Sequence, residues 1–341
     1  MRERPQEFLP SNEKKGGFLG ERGELSDKEK RLSRILEAKI ESQRIPMESS
    51  SGNPSENAMA DRSRIKGEEI KREREREHNL AVDPEAVFSR DRAKISEMAT
   101  IYALQNGKWL GKNSTIRPAS KIDDYFGGVD IVAELNGAQQ LAVGIDTTVS
   151  ASEIPGKMRR QRDLILKKKL PGVKYFKTDR YNGELNNVPL VAIGADRKKN
   201  SALAGVTYDL ENIDEYNAPA EIDAASQKLE QHIMQFVILY EILLQLRAYL
   251  KLAEQTGGSS IIQPIKSDLQ GIEEVIRDKM PKDKALQDAI FAAVRKDEIY
   301  NEIKIQVDAL FTNYADEEEP IFVAKGIKEP PPPKKHVIRS S

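Results

Sequence analysis

The stretch "IMQFVILYEILLQL", residues 233–246, constrains the fold of this chain more than any other. It lies inside "PAEIDAASQKLEQHIMQFVILYEILLQLRAYLKLAEQ", whose periodicity predicts one long helix ending at Gly257 and Gly258. Through its middle that helix is apolar over much of its circumference, so it has to be enclosed rather than laid on a wet surface. Glu241 interrupts the run, which is too short to span a bilayer. Its enclosure must therefore come from protein: a sheet, other helices or a second copy of the chain.

With 341 residues the chain has room for about two domains, yet 38% hydrophobic against 32% charged residues is too polar for one compact globule throughout. The 54 basic and 55 acidic residues nearly cancel, so attraction to nucleic acid can come only from local patches. The absence of cysteine excludes disulfides, thiolate catalysis and Cys-ligated metals. His78, His232 and His336 lie far apart, which leaves carboxylates and hard cations as the remaining metal chemistry. With no leading hydrophobic stretch, the expectation is a cytoplasmic protein without membrane association.

Four regions follow from the composition. Residues 1–82 are expected to be mostly disordered and charged, with a short helix in "LSDKEKRLSRILEAKIESQRI" that is marginal or folds on a partner, and a solvated charged helix in "EEIKREREREH". Residues 83–215 read as an α/β domain, 216–316 as a helical region and 317–341 as a disordered proline-rich tail.

In the α/β domain, Asp83 as N-cap, Pro84 in the first turn and Gly107 at the far end bracket a helix. Phe88, Ile95, Met98, Ala99 and Tyr102 form its buried face, with Glu97 beside it. A loop containing Pro118 leads to "GVDIVAELNGAQQLAVGIDTTVS", two strands joined at Asn136 and Gly137, each with one aspartate among apolar neighbours. A tight turn there sets Asp130 across from residue 143. A longer loop through Gln139 brings Asp130 and Asp146 nearer still. Two carboxylates gathered at one end of a sheet repel unless a cation or a proton sits between them, and Mg²⁺ or Mn²⁺ is a reasonable occupant.

Next comes the helix "PGKMRRQRDLILKKKL", in which seven basic residues face one acidic residue, Asp163. Such a run is a solvated face or, following the acidic strands, a place where a phosphate backbone passes. "VKYFKTD" and "VPLVAIGAD" read as further strands, the second covered on both faces. Helix, strand, strand, helix, strand, strand argues for a mixed β-sheet flanked by helices.

These residues resemble the PD-(D/E)xK nucleases, the restriction-endonuclease-like superfamily, over about residues 85–200. In that family a helix glutamate precedes a strand aspartate and then a strand ending in acidic-x-Lys. Glu97, Asp130 and Asp146 match the three acids. The resemblance implies a restriction-endonuclease-like core and metal-assisted phosphodiester hydrolysis, with Asp130, Asp146 and Glu97 holding Mg²⁺ or Mn²⁺. Thr148 stands where the family has lysine. Lys157 or Arg160 on the next helix, or Lys121 before the first strand, are candidates to replace that charge, and Gln161 resembles a glutamine some members carry there.

The candidate catalytic set is thus Glu97, Asp130, Asp146, Thr148, Lys157 and Gln161. Lys121, Arg159, Arg160 and Arg162 are the candidate nucleic-acid contacts, with DNA ahead of RNA. The function expected is a Mg²⁺-dependent nuclease or a degenerate relative that binds nucleic acid without cutting it. The runner-up is a non-enzymatic scaffold using its long C-terminal helices, through which the chain could also pair with a second copy. The plainer readings are that Asp130 hydrogen-bonds backbone at a strand end, that Asp146 caps the following loop, that Asp123 and Asp124 form a turn before Gly127 and Gly128, and that Trp109 is core.

Overall fold

A computed structural model describes residues 17–47, 56–135, 142–177, 182–213 and 218–311. The Asn136 and Gly137 turn and the proline-rich tail lie outside the described residues.

The centre is a four-stranded mixed sheet of β1 (Thr115–Pro118), β2 (Ile131–Glu134), β3 (Ala142–Thr148) and β6 (Leu190–Gly194), in that spatial order. β1, β2 and β3 form an antiparallel meander, and β6 pairs parallel to β3. β3 and β6 are joined through helix α4 (Ile154–Leu166) and a separate two-stranded hairpin, β4 (Val173–Lys177) with β5 (Asn182–Leu185). Two expectations change here. The loop containing Pro118 is a short strand, tolerated because proline ends a strand at the sheet edge, where a missing N–H costs no ladder bond. "VKYFKTD" supplies a strand, but in the satellite hairpin and not in the main sheet.

Strand periodicity divides the apolar residues between two cores. Ile131, Ala133, Val143, Ile145, Val191 and Ile193 enter the main core with the helices. Val132, Ala142 and Leu190 enter a smaller one with Val173 and Phe176 of the hairpin. Helix α3 (Pro84–Asn106) packs on β1 and β3, with Asp83 accepting from the Ala86 N–H at 3.1 Å as N-cap. Its caps and buried face are those read from the sequence, except that Phe88 is half-buried and Val87 is buried in the same turn.

The N-terminal region departs most from expectation. Helix α1 (Asp27–Gln43) starts at a capping box, Ser26 with Glu29, and buries Leu32, Leu36 and Ile40 in the main core. It is bolted to α3 by a buried ion pair, Arg92 Nε donating to Glu29 Oε1 at 2.9 Å. Helix α2 (Glu56–Val82) is the solvated charged helix expected, held to the body through Asp61 with Lys174, Glu69 with Lys121 and Arg76 with Asp91. Residues 17–47 and 56–82 are thus parts of the fold, α1 because a few apolar side chains at helical spacing enter the main core and α2 through its ion pairs to the body.

Helices α5 (Arg197–Asn212), α6 (Pro219–Glu230), α7 (Met234–Thr256), α8 (Ser259–Lys279), α9 (Lys284–Arg295) and α10 (Glu298–Phe311) complete the structure. The long helix expected from residue 219 is two helices. At the break, Trp109 Nε1 donates to Leu229 O at 2.9 Å and Gln235 Nε2 to Glu230 O at 2.8 Å, so tertiary donors satisfy carbonyls that a continuous helix would have used itself. Likewise the stretch after residue 284 divides at Asp297, whose side chain accepts from the N–H groups of Ile299 and Tyr300 and starts a new helix. The stretch Pro219–Thr256 is long and apolar enough to cross a bilayer by length and composition, yet 83% of its most apolar window is buried inside the fold, as in the core helix of a soluble protein.

α7 closes the outer edge of β6 without a fifth strand. The Gly194 N–H donates to Glu241 Oε2 at 2.9 Å. Gln245 takes the Ala192 N–H at 2.9 Å and gives to the Ala192 carbonyl at 2.7 Å, and Tyr249 Oη donates to Leu190 O at 3.2 Å. Four helical residues rise about 6 Å and two strand residues about 6.6 Å, so side chains at every fourth position meet every second residue of the strand. Burial, added to by the charge of Asp297, pushes Glu241 well above the usual carboxylate range.

Candidate active site

The β2–β3 register pairs Ile131 with Ile145, and continuing it by one residue sets Asp130 across from Asp146. That is the register of the longer connection, not of a tight turn. The Asp130 N–H donates to Ile145 O at 2.9 Å, holding the approach to β2 against β3. Asp130 Oδ2 then accepts from both the N–H and the hydroxyl of Thr147 at 2.6 Å, so the plain reading of Asp130 as a backbone-bonded strand-end residue describes one of its oxygens.

Asp146 is buried and held by α4. Lys157 Nζ donates to its Oδ1, and Arg160 Nη2 donates to its Oδ2 at 3.1 Å. α4 begins six residues after β3 ends, so its first turns overhang Asp146. Lys157, Arg160 and Gln161, three and four positions apart, share the facing side. Lys157 Nζ also donates to the Thr147 carbonyl at 2.9 Å. Burial works against its ammonium, but Asp146, Asp130 and Glu153 hold its pKa above the ordinary value. Arg160 lies flat against Gly128, where a Cβ would sit 2.8 Å from Nη2, and Gly128 has a φ of +66°. The positive φ favours glycine there, and a Cβ would push the guanidinium aside.

Glu97 approaches from α3. Burial, then the charges of Asp130, Glu153 and Asp146, opposed by Lys157, push it up to about 8. No described residue gives its carboxyl a hydrogen bond or an ion pair, and at neutral pH it is mostly protonated. Burial and Asp130, against Lys157 and Arg160, push Asp146 up to about 6. Asp124 rises to about 6 by burial and the same aspartate, although Arg44 reaches it at 3.1 Å.

The remaining candidates divide. Lys121 pairs with Glu69 at 2.9 Å and Glu41 at 3.4 Å and does not reach the aspartates. Thr148, at the position of the family lysine, turns its hydroxyl to Glu153 Oε2 at 2.8 Å. Arg159 is exposed, and Arg162 pairs with Asp163 at 3.6 Å. Gln161 is buried with its Oε1 unpartnered, and it lines a small pocket with Asp146, Lys157, Arg160, Ala192, Gln245 and Tyr249. Asp123 is the expected turn former: it accepts from Ser120 Oγ at 2.6 Å and from the Lys174 N–H at 2.7 Å, tying the satellite hairpin to the turn. Trp109 is fully buried.

Sequence reasoning missed Arg44, Asp124 and Glu153 as members of this charge cluster. Glu153 was legible as an i,i+4 partner of Lys157, while Arg44 arrives from a helix outside the expected domain. The oxygens gathered here suit a hard divalent cation in kind. In arrangement they do not: among the described residues no group of three or more acidic or histidine side chains is set to hold a metal, and both Asp146 oxygens are covered by cations of the chain itself. Comparison with protein-family models, curated proteins and solved structures finds no match for this chain.

Proposed function

We propose that this chain is a nuclease-like, nucleic-acid-binding protein of PD-(D/E)xK type, whose acidic site is balanced by its own lysine and arginine. The observation that carries the reading is Lys157 on Asp146. It brings an ammonium from the next helix to the carboxylate that, by resemblance, should have had a lysine two residues along. The order of α3, β1, β2, β3, α4 and β6 around a mixed sheet supports the same kinship.

The chemistry open to such a site is phosphodiester binding and hydrolysis. Arg160, half-exposed beside Asp146, can meet a phosphate oxygen, and Lys157 can stabilise negative charge developing on the phosphoryl oxygens. Glu97, with its carboxyl near neutrality in pKa, is suited to carry a proton. Exposed Arg159 and the lysines at 167, 168 and 169, which follow the end of α4, extend the basic face along which a backbone would lie. The scaffold reading has little to stand on. α7 is enclosed by its own chain, and among the described residues of the C-terminal helices Ile305 is the large apolar side chain left exposed.

Fluorescence anisotropy with labelled single- and double-stranded DNA and RNA tests the reading. Binding should weaken with salt at a slope of about 0.7 to 0.9 per phosphate engaged, and Arg159→Glu with Lys168→Glu should weaken it about tenfold or more. Absence of binding, or binding indifferent to salt, would reject it. Incubating the same substrates with Mg²⁺ separates the two forms of the proposal, since cleavage by the unmutated protein that Asp146→Ala removes makes it an enzyme.

A further inference from the structure

Helix α2 lies on the body of the fold with little apolar contact. Among the described residues it buries Ala58 and Ile65, while Met59, Ile70, Leu80 and Val82 stay exposed; α1, by contrast, sinks Leu32, Leu36 and Ile40 into the main core. Charge and stacking hold α2 instead, in two sets of the same make. In the first, Asp61 takes Lys174 Nζ, Tyr175 Oη donates to Asp61 Oδ2 at 2.9 Å, and the Arg64 guanidinium lies 4.3 Å from the centre of the Phe126 ring. In the second, eight residues on, Glu69 takes Lys121 Nζ at 2.9 Å, and the Arg72 guanidinium lies 4.0 Å from the centre of the Tyr125 ring. Each set lays a carboxylate on a lysine and a planar cation on an aromatic face.

Those are the two contacts that a single strand of nucleic acid makes, phosphate to ammonium and base to ring. Tyr125 and Phe126 belong to the turn Asp123–Gly127, and the next residue, Gly128, is the one Arg160 lies against. The surface under α2 therefore runs on to the half-exposed guanidinium beside Asp146. Away from α2 and α10, Phe126 is the large apolar side chain left exposed among the described residues, at 45%. We propose that Lys121, Tyr125, Phe126 and Lys174 form a binding surface for unpaired nucleotides, and that α2 is an autoinhibitory strap whose carboxylates and guanidinium groups occupy it until a strand displaces them. Asp83 alone separates α2 from α3, so the strap can leave the surface with α3 in place. This rests on the reading that the chain binds nucleic acid, and it adds a second face that favours single strands.

The test uses the full chain in fluorescence anisotropy with a labelled oligothymidylate and with a duplex of the same length. Arg64→Ala with Arg72→Ala takes positive charge from the protein, which by electrostatics alone weakens binding to either nucleic acid. A loosened strap does the opposite. The double variant should bind the oligothymidylate about fivefold or more tightly than the unmutated protein, because the open form is no longer a minor fraction, and its duplex affinity should not rise. Adding Tyr125→Ala and Phe126→Ala should cancel the gain, with circular dichroism confirming that each variant is folded. In hydrogen exchange of the unmutated protein, the amides of residues 61–72 should exchange faster with oligothymidylate bound. Equal or weaker oligothymidylate binding by the double arginine variant, an equal gain on the duplex, a gain that survives loss of both rings, or unchanged or slower exchange across 61–72 overturns the proposal and leaves binding along α4 intact. Failure of every form to bind either nucleic acid brings down the nucleic-acid reading and this proposal with it.

Discussion

Helix α3 carries Arg92 and Glu97 little more than one turn apart, and their surroundings are opposite in kind. Around Arg92 every charge is answered. Its guanidinium meets Glu29 and the Gly23 carbonyl at 2.8 Å, and Glu29 also accepts from the backbone of Gly20 and Ser26. Burial alone would raise Glu29, but those donors hold its pKa below the usual value. Around Glu97 the carboxylates outnumber the cations, and its carboxyl is driven up to about 8. A closed pair of the first kind fixes two helices together. An under-satisfied cluster of the second kind costs stability and persists where something outside the chain completes it. The comparison separates a structural ion pair from a candidate site on the same helix.

The largest expected effect breaks the closed side. Glu29→Ala leaves Arg92 buried without its partner and should cost about 3 to 5 kcal/mol in urea unfolding. Glu97→Gln replaces an acid already mostly neutral in the folded state and removes the proton uptake that folding demands, so at pH 7 it should leave the protein as stable or more stable. Equal losses from the two would erase the distinction.

A second prediction lies on the edge of β6. Gln245→Leu removes the side chain that answers both backbone groups of Ala192, and two buried unsatisfied groups should cost about 2 to 5 kcal/mol. A cost under about 1 kcal/mol would mean that α7 is not the closing element of the sheet.

The last prediction is the pH dependence of stability. Glu97 has a folded pKa raised from its ordinary 4.5 to about 8, so the folded state binds the extra proton between those values. Its contribution is fully present below about 4.5 and is lost as pH rises through about 8. Stability should therefore fall across that window in the unmutated protein, and Glu97→Gln should flatten the fall.

How much of this was legible beforehand differs by element. The caps of α3, the apolar alternation of the acidic strands and the doubly covered β6 are local signals, and they hold. The pairing of Asp130 with Asp146 depended on a loop length that residue types alone do not set, and the longer of two registers is found. Among Lys121, Lys157 and Arg160, sequence distance could not choose. Lys121 is claimed by Glu69 and Glu41 from helices outside the expected domain, while α4 aims the other two at Asp146. α1 was underrated because three apolar residues look marginal until a core exists for them to enter. β1 escaped notice because four residues ending in proline carry almost no strand signal.

The account turns on the charge state of one side chain. Carboxyl carbon shifts of ¹³C-labelled glutamate, followed by NMR from acid to pH 9 and assigned with Glu97→Gln and Glu29→Gln, measure it directly (~9 being one unit past the expected midpoint). The prediction is that Glu97 titrates at about 8 and Glu29 below 4.5. Titration of Glu97 near 4.5, alongside the exposed glutamates, would mean that its cluster is solvated and balanced like any surface group, and the case for a site there would fall.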